Sequence, residues 1–410
     1  MTVAELSSGG VAALAAVWSE ALEAELPRAV ELRRELHARP EVSGRESWTA
    51  LRVAGAISAG WHHPLPAHPV AGTGRLVRIG PTDGPCVAIR AELDALPVAE
   101  RTGVEFAAVN GAMHACGHDV HLAAVSAVAR AARSLDLPAA LLVILQPREE
   151  AQPSGARDII AAGDLAAQEL AAVVGVPLHP QLLIGTSAAD PGVVNAAVDE
   201  IRIEIRGAGG HSAYPHLTRD PVPVLCRSIL ALQDALRTAV DPMQPGVAAV
   251  TLLSAGDAPN VIPDTASARG TLRTFRAVDR ERLHTQIEQA VRGIAAAGGC
   301  EGTVWFSAGE PPLHNDPLLA AAAAPWLAEA GLPVGPAFRS CGSDDFSHYG
   351  GVAPSLMIFV GAGNGPGSPM LHDSAFLPAD DRVGEVARAY LAGYLAAVET
   401  LLEHPDPVGR

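Results

Sequence analysis

The stretch PCVAIRAELDALP, residues 85–97, decides the fold class, because it is a short apolar run that ends in carboxylates. Two runs of the same kind follow, AALLVILQP at 139–147 and LAAVVGVPLH at 170–179. An alanine-rich segment between the first two, at about 120–135, has the length and composition of a helix. Strands that are apolar throughout are typical of a parallel sheet covered by helices on both faces. The sequence therefore predicts an α/β domain with a mixed, largely parallel sheet, in which ligands bind beyond the carboxyl ends of the strands.

A different pattern begins near residue 196. The segment IRIEIRG at 201–207 alternates apolar and polar residues, as a half-buried strand does. The segments that follow are a helix at about 220–238, strands at 246–256 and 266–275, a helix at about 279–297 and a strand at 302–309. This β-α-β-β-α-β order is that of a ferredoxin-like α+β module. The chain then returns to a helix, the strand SLMIFVG and a long final helix. We therefore predict an inserted domain, residues 196–310, within a discontinuous domain of residues 1–195 and 311–410.

The composition narrows the possible functions. The 410 residues carry a net charge of −16 and 49% of them are hydrophobic, which fits a folded chain of two or more domains. Nucleic-acid binding needs clustered positive charge, so no nucleic-acid partner is expected. No apolar run reaches the ~18 residues of a membrane span, and the N-terminus lacks the basic start of a secretory signal. The five cysteines are odd in number and never form a CxxC pair. We expect a cytoplasmic protein that acts on small molecules, with no membrane partner.

The densest group of reactive side chains lies in MHACGHDVHL, residues 113–122. Gly117 separates Cys116 from His118 and would let an extended backbone turn both side chains toward one point. Asp119 is predicted to cap the helix that follows. The stretch alone allows three interpretations: a metal site, a thiol nucleophile with its base, or histidines that pack against the core.

Further candidates lie far along the chain. The segment ILQPREE at 144–150 ends an apolar strand with the adjacent carboxylates Glu149 and Glu150, although adjacent glutamates are more often a solvated charge pair. His179 ends the run VPLH, and His372 follows a glycine-rich loop. A lone histidine is more often structural than a ligand. Together, however, these side chains offer nitrogen, oxygen and sulfur donors at the ends of one sheet, a set that suits zinc, manganese or cobalt. The combined pattern favours a metal site.

The order of these motifs resembles that of a known enzyme family. The motifs are RAELDALP (90–97), MHACGHDVH (113–121), QPREE (146–150), GAGGHSAYPH (207–216), NVIPD (260–264), GTLRTF (270–275), GSDDFSHY (342–349) and LHDSAF (371–376). They are similar to the amidohydrolases that include hippurate hydrolase, N-acyl-L-amino acid aminoacylases and plant indole-acetyl-amino-acid hydrolases. The resemblance covers about residues 28–400. It implies a two-domain dinuclear metallohydrolase in which the inserted ferredoxin-like domain is a lid. An exposed edge strand of that lid could pair with a copy of itself, so we expect a homodimer formed through the lid domain.

The resemblance also assigns roles residue by residue. Two divalent metal ions per subunit, Mn²⁺, Zn²⁺ or Co²⁺, are implied to bind Cys116 as the bridging ligand, with His118, Glu150, His179 and His372. Glu149 resembles the general base, Asp94 the carboxylate that orients a ligand histidine, and His211 a lid residue that reaches a neighbouring subunit's site. Asn260 and Arg273 resemble the residues that hold the substrate's carbonyl or carboxylate. His114 and His121 then support the ligands or pack beside them.

The implied reaction is hydrolysis of the amide bond of an N-acyl amino acid or related small amide, which releases a carboxylate and a free amine. Alternatives at this stage are a dipeptidase or an amide-forming or specialised-metabolite enzyme on the same fold, a metal-free thiol hydrolase using Cys116, and a catalytically silent binding protein. The chain also departs from the usual motifs. Arg148 stands where alanine is common, Asp344 replaces a glutamate, and the segment after His179 is short. Because Arg148 adjoins Glu149, we expect it to alter the pKa of the base or the substrate pocket.

Overall fold

The computed structural model describes residues 8–404. The α-helices are α1 (Ser8–Ala38), α2 (Ser47–Ser58), α3 (His118–Ala131), α4 (Gly155–Ala161), α5 (Pro221–Ala239), α6 (Ala277–Ala297), α7 (Pro317–Glu329) and α8 (Arg382–Glu403). The β-strands are β1 (Ala67–Val70), β2 (Gly74–Ile79), β3 (Cys86–Glu92), β4 (Ala140–Gln146), β5 (Leu170–Gly175), β6 (Leu178–Leu183), β7 (Ser187–Ala188), β8 (Gly192–Asn195), β9 (Ala197–Arg206), β10 (Gly210–His211), β11 (Gly246–Ala255), β12 (Val261–Ile262), β13 (Thr265–Thr274), β14 (Glu301–Ala308), β15 (Leu313–Asn315), β16 (Ser355–Met357) and β17 (Phe359–Gly363). The chain divides into two compact units. One contains the chain up to Gly192, His314–Phe338 and the chain from His348 onward, and the other contains Val193–Leu313 and Arg339–Ser347.

The first unit is built on a six-stranded sheet of order β1-β2-β4-β3-β5-β16. Strands β4, β3, β5 and β16 run parallel to one another, and the hairpin β1–β2 joins them through an antiparallel β2–β4 pair. β3 and β4 are buried along their whole length, as expected of strands covered on both faces. The predicted α/β class with a mixed, largely parallel sheet is confirmed.

Helix α3 follows β3 and leads to β4, so its first turn lies at the carboxyl edge of the sheet. Every residue of this helix is buried, and its many alanines and valines allow close packing on all sides. The surrounding core includes Trp18 of α1 and Tyr394 of α8, whose rings meet edge to face at 4.9 Å. Because β3 and β4 are parallel neighbours, Glu92 and Gln146 end side by side. The functional side chains predicted from the sequence follow these two strand ends.

Two predicted strands are divided in the structure. The run at 170–179 forms β5 and β6, because Pro177 between them has no N–H to offer a strand ladder. β6 leaves the central sheet and pairs with β17. SLMIFVG likewise divides, with β16 in the central sheet and β17 in a three-stranded sheet of order β6-β17-β7. His179 is therefore the second residue of a new strand and does not end an old one.

The second unit has an antiparallel sheet of order β11-β13-β9-β14. Along β9 the buried residues Ile201, Ile203 and Ile205 alternate with more exposed ones, so one face of the sheet is apolar. Helices α5 and α6 cover that face and share its core. Asp220 caps α5 by accepting a hydrogen bond from the Val222 amide at 2.9 Å. The predicted ferredoxin-like β-α-β-β-α-β order is confirmed.

Arg339–Ser347 belong to this second unit, whereas the expected domain boundary grouped them with the catalytic domain. The Ser340 amide donates to the Val194 carbonyl at 2.9 Å, and Arg273 Nη1 donates to the Cys341 carbonyl at 2.8 Å. These long-range contacts decide the placement, because the segment has no apolar periodicity of its own.

None of the helices between residues 8 and 404 is long and apolar enough to cross a membrane. The five cysteines are free, with Cys86 buried and Cys226 and Cys341 exposed.

Candidate metal centre

The first turn of α3 places His118 at the edge of the sheet. The helix starts at His118, and Gly117 at its N-cap position has φ 82°, a conformation that glycine adopts without strain. The predicted cap is therefore wrong: Asp119 lies inside the first turn, where its carboxylate accepts from Arg33 Nε at 2.8 Å. His118 Nδ1 lies 2.8 Å from the backbone carbonyl oxygen of Asp94. A carbonyl only accepts, so Nδ1 carries a proton, and in the neutral ring Nε2 is left with the lone pair.

The carboxylate of Asp94 holds the glutamate pair. Its Oδ1 lies 3.7 Å from His118 Nδ1, too far for a hydrogen bond. Its Oδ2 accepts from the Glu150 amide at 3.0 Å and from Ser43 Oγ at 2.6 Å. In the structure the backbone carbonyl of Asp94 is the hydrogen-bond partner of His118 Nδ1, and the Asp94 carboxylate accepts from the Glu150 amide; the role of that carboxylate in orienting a ligand histidine stays a prediction.

The donor atoms of the predicted residues form two groups. Donor atoms of Cys116, Glu150 and His372 lie within 4.8 Å of one another, and so do donor atoms of His118, Glu149 and Glu150. Glu150 belongs to both groups, whereas Cys116, the predicted bridging ligand, belongs to one. The His372 amide donates to the carbonyl of the residue before Cys116 at 2.9 Å. This hydrogen bond brings a residue from the end of the chain to the first turn of α3.

The unpaired atoms at this place fit a cation. Glu150 Oε1 is buried and lies 3.1 Å from His372 Nε2, and the nearby Asp94 Oδ1 is buried and forms no hydrogen bond. A buried polar atom without a partner costs about 1–3 kcal/mol. A divalent cation such as zinc is a partner that carboxylate, imidazole and thiolate share. The residues present therefore fit a metal ion.

The charges at the centre lead to the same conclusion. Burial raises the pKa of Cys116 well above its ordinary value, and the carboxylates of Glu150, Glu149 and Glu92 raise it further. A thiol in such surroundings stays protonated and is a poor nucleophile. Burial by itself would lower the pKa of His118, but neighbouring carboxylates, Glu92 first among them, raise it overall. A cation among these groups would favour the thiolate and the neutral imidazole, which are the forms that bind metals.

His179 lies outside both donor groups. Its ring packs against Phe338 and Phe359, at centroid distances of 4.6 and 6.0 Å. Its Nδ1 accepts a long hydrogen bond, 3.3 Å, from the Gln181 amide. Burial lowers the pKa of His179 to about 4, so the ring is neutral at pH 7, as a metal ligand must be. Its role as a ligand stays a prediction.

Behind the donor groups, a buried chain of hydrogen bonds connects β3, α3 and β6. Glu92 pairs with Arg90 and accepts from His121 Nδ1 at 2.9 Å. His121 Nε2 in turn accepts from the Leu178 amide at 3.1 Å. Both nitrogens of His121 are therefore engaged in holding secondary structure. His114 is also buried, without a hydrogen-bond partner, and burial lowers its pKa to about 3.

No sequence motif singles out Ser43 or Glu46, which lie far along the chain from every motif. Glu46 is fully buried, and its Oε1 accepts from the Gly44 amide at 2.7 Å and from the Arg148 amide at 3.0 Å. A glutamate in a loop just before a helix is the only signal, and it does not distinguish this residue from a solvated one.

His211, Asn260 and Arg273 lie in the second unit. The ribbon β10–β12 brings the first two together, because the amide next to His211 donates to the Asn260 carbonyl at 3.1 Å. His211 Nδ1 accepts from the amide two residues further on at 3.0 Å, so the neutral ring carries its proton on Nε2. The side chain is exposed, which leaves Nε2–H available as a donor. Arg273 spends one of its five N–H donors on the Cys341 carbonyl at 2.8 Å.

Several known proteins are similar to this chain in sequence and in fold. The sequence model of Peptidase family M20/M25/M40 matches residues 88–402. The chain is 34% identical over 369 residues to an N-acetylcysteine deacetylase of Bacillus subtilis (strain 168), covering 89% of this chain and 95% of that protein. It is 30% identical over 370 residues to an N-acetyldiaminopimelate deacetylase of Shouchella clausii, covering 90% and 97%. A crystal structure from Bacillus subtilis, described as a dinuclear metal-binding peptidase of the M20 family, matches with a TM-score of 0.79 and 30% identity, covering 92% of this chain and 99% of that one.

Proposed function

This chain belongs to peptidase family M20/M25/M40, and we propose that it is a metal-dependent amidohydrolase that cleaves the amide bond of N-acyl amino acids. The observation that carries the proposal is the carboxylate of Glu150, shared by two groups of nitrogen, oxygen and sulfur donors. Such sharing suits two cations side by side. The relatives named as deacetylases support a small acyl group on an amino acid, and the dinuclear relative supports two cations.

We assign two divalent ions, Mn²⁺, Zn²⁺ or Co²⁺, to Cys116, His118, Glu150, His179 and His372. When bound, the ions polarise the amide carbonyl and lower the pKa of the attacking water. Cys116 is proposed to bridge the ions on the strength of the family resemblance. The pKa of the Cys116 thiol is raised in the structure. A bound cation would lower it and favour the thiolate, which is the form that binds metal.

Glu149 is the proposed general base. Its Oε2 lies 3.8 Å from His118 Nε2, and its side chain is less buried than those of the supporting carboxylates Glu92 and Asp94. In this role it takes a proton from the attacking water and delivers it to the amine nitrogen as the C–N bond breaks. Asp94 serves the same step indirectly, because its carboxylate holds the backbone of the adjacent Glu150.

The second unit supplies the proposed substrate contacts. The Nε2–H of His211 is a suitable donor for the oxygen that becomes negative during attack, and losing one such donor typically costs about 10²–10³ in rate. Asn260, beside it in the ribbon, offers an amide for the same carbonyl. Arg273 keeps unspent N–H donors that match a carboxylate in two-point fashion, which suits the carboxylate of the amino-acid part.

We also propose a homodimer formed through the second unit. β11 is an edge strand, and its Leu252 and Leu253 side chains are 58% and 57% exposed. An exposed apolar edge strand is prone to pair with another strand, and pairing with a second copy gives a two-fold dimer. Light scattering should give twice the chain mass of 42.1 kDa. A Leu252→Lys, Leu253→Lys variant should give the monomer mass, and a monomeric wild type would contradict the proposal.

Metal removal tests the reaction class. Dialysis against a strong chelator should abolish hydrolysis of N-acetylcysteine, and Mn²⁺, Zn²⁺ or Co²⁺ should restore it, with two ions bound per chain by elemental analysis. A metal-free protein that remains fully active would instead indicate the thiol mechanism. A panel of N-acetyl, N-benzoyl and N-indoleacetyl amino acids and dipeptides then identifies the substrate class, and exclusive cleavage of dipeptides would contradict the acyl-amino-acid proposal.

Replacing Glu149 by Gln separates catalysis from binding. The amide keeps the size of the side chain but cannot accept the proton, so turnover should fall by about 10²–10⁴ while two metal ions remain bound. Turnover at the wild-type rate would remove Glu149 from the role of base. Absence of turnover in the wild type across the whole panel, with ions bound, would favour a silent binding protein.

A further inference from the structure

The turn that carries Glu149 and Glu150 begins with a residue in an unusual conformation. Arg148 has φ 50°, in the left-handed region that residues with a side chain rarely adopt. Such a conformation persists only where the surroundings fix it.

The backbone of the turn is held at three points. The Arg148 amide donates to Glu46 Oε1 at 3.0 Å, and the Glu150 amide donates to Asp94 Oδ2 at 3.0 Å. Both acceptor carboxylates are fully buried. The Arg148 carbonyl accepts from the Gly155 amide at 3.1 Å. The two N–H groups on either side of Glu149 are therefore bound to fixed acceptors.

The guanidinium of Arg148 fastens the turn to the loops around it. Nε donates to the Pro153 carbonyl at 3.3 Å, Nη1 donates to the Ala71 carbonyl at 3.4 Å, and Nη2 pairs with Asp158 of α4. The side chain is 22% exposed. Its polar contacts in the structure lie with these three segments.

We propose that Arg148 is a positioning residue for the metal centre. By holding its own left-handed backbone and binding the loops at Ala71, Pro153 and Asp158, it fixes the directions of the Glu149 and Glu150 carboxylates. Fixed ligands bind a cation more tightly, and changing residues that orient ligands typically weakens metal binding about 10–100-fold. We call the three contacts of the Arg148 guanidinium with Ala71, Pro153 and Asp158 the clamp. The inference rests on the proposed function for its metal-binding test only, because the clamp can be measured without metal.

Hydrogen exchange tests the clamp in the metal-free protein. Arg148→Ala should raise the exchange of the amides in residues 147–158 about 10-fold or more, because three side-chain hydrogen bonds are lost. Arg157→Ala is the matched control, since Arg157 lies in the same segment with an exposed side chain, and it should leave exchange unchanged. Unchanged exchange in Arg148→Ala would overturn the proposal. If that variant does not fold, Asp158→Asn removes one contact, at a carboxylate that is 45% exposed, and should act in the same direction.

Metal affinity tests whether fixing the two glutamates strengthens metal binding, and the direction of the change in affinity is decisive. Arg148→Ala should bind Mn²⁺ about 10–100-fold more weakly in a chelator competition, and its Co²⁺ form should have an altered absorption spectrum. Arg148→Lys keeps the charge but loses the planar fork, so it should share most of the loss. A simple charge effect predicts the opposite, because removing a positive charge near the glutamates would tighten metal binding, and that result would overturn the proposal. A wild type that binds no cation would refute the proposed function, while the exchange experiment would still decide the clamp.

Discussion

Two adjacent arginines of α1 allow a direct measurement of what burial adds to an ion pair. Arg33 and Arg34 both bind Asp380, and both guanidinium groups lie over the ring of Phe106, at 5.2 and 5.3 Å. Their environments differ. The Arg33 side chain is 1% exposed and also binds Asp119 Oδ2 at 2.8 Å, whereas the Arg34 side chain is 53% exposed. Residue type, the Asp380 partner and the ring are therefore matched, whereas burial and the second carboxylate, Asp119, distinguish Arg33.

The expected magnitudes follow from this difference. Arg33→Met keeps the aliphatic stem but leaves the carboxylate of Asp119, which is 0% exposed, without its main counter-charge. Removing one partner of a buried ion pair costs about 3–5 kcal/mol. Arg34→Met breaks an exposed pair that solvent screens, so its loss should change the free energy of unfolding little. The loss of unfolding free energy in Arg33→Met should therefore be several-fold larger than in Arg34→Met.

Urea unfolding followed by tryptophan fluorescence provides the measurement, since Trp18 is buried on the same helix. The urea concentration at the midpoint should fall strongly for Arg33→Met and little for Arg34→Met, while the dependence of the unfolding free energy on urea concentration should be similar in the two variants. Equal losses in the two variants would refute the reasoning, because they would mean that the shared contacts to Asp380 and Phe106 carry the stabilisation and that burial adds nothing.

Three further predictions concern buried groups. Burial alone would lower the pKa of His37, but the neighbouring Asp119 raises it overall. The charged form of His37 therefore stabilises the folded state fully below about pH 6.5, and this stabilisation is lost as the pH rises through the raised pKa of the folded state. His37→Gln should therefore reduce the fall of the urea midpoint above pH 6.5, and an unchanged slope would contradict this. Gly155→Ala should destabilise by about 1–3 kcal/mol, because its Cβ would lie 1.7 Å from a backbone carbonyl oxygen, whereas the open helix position Gly55→Ala should be neutral or stabilising by thermal unfolding. Glu92→Gln should lower the urea midpoint more than His121→Asn does, because the first removes one charge of the buried Arg90–Glu92 ion pair and the second removes only hydrogen bonds; the reverse order would refute this.

The strands could be predicted from the sequence because their pattern is local. The apolar runs ending at Glu92 and Gln146 have the period and length of buried strands, and they form the parallel pair at the centre of the sheet. The division of 170–179 at Pro177 is also visible in the sequence, but the choice of β17 as the new partner of β6 is not. Pairing partners depend on packing of distant segments, which no local pattern records.

At the candidate site, the sequence likewise indicates which residues take part but not how their atoms are arranged. Motif order was enough to select Cys116, His118, Glu150 and His372, whose donor atoms the structure brings together. It did not reveal that the Asp94 carbonyl, and not its carboxylate, meets His118 Nδ1. Backbone atoms are the same at every residue, so a sequence motif cannot show when a main-chain carbonyl makes the hydrogen bond that a nearby carboxylate could also make.

Proximity of donor types does not by itself define a ligand set. Glu92, His118 and His121 also place donor atoms within 4.8 Å of one another. Glu92, however, is neutralised by Arg90, and His121 uses Nδ1 for Glu92 and Nε2 for a backbone amide. A cation there would have to displace these buried hydrogen bonds and approach a guanidinium. Glu150 instead lies 3.1 Å from His372 Nε2, and its carboxylate belongs to two donor groups. The electrostatics therefore distinguish a carboxylate neutralised by an arginine from one whose neighbours are themselves potential ligands.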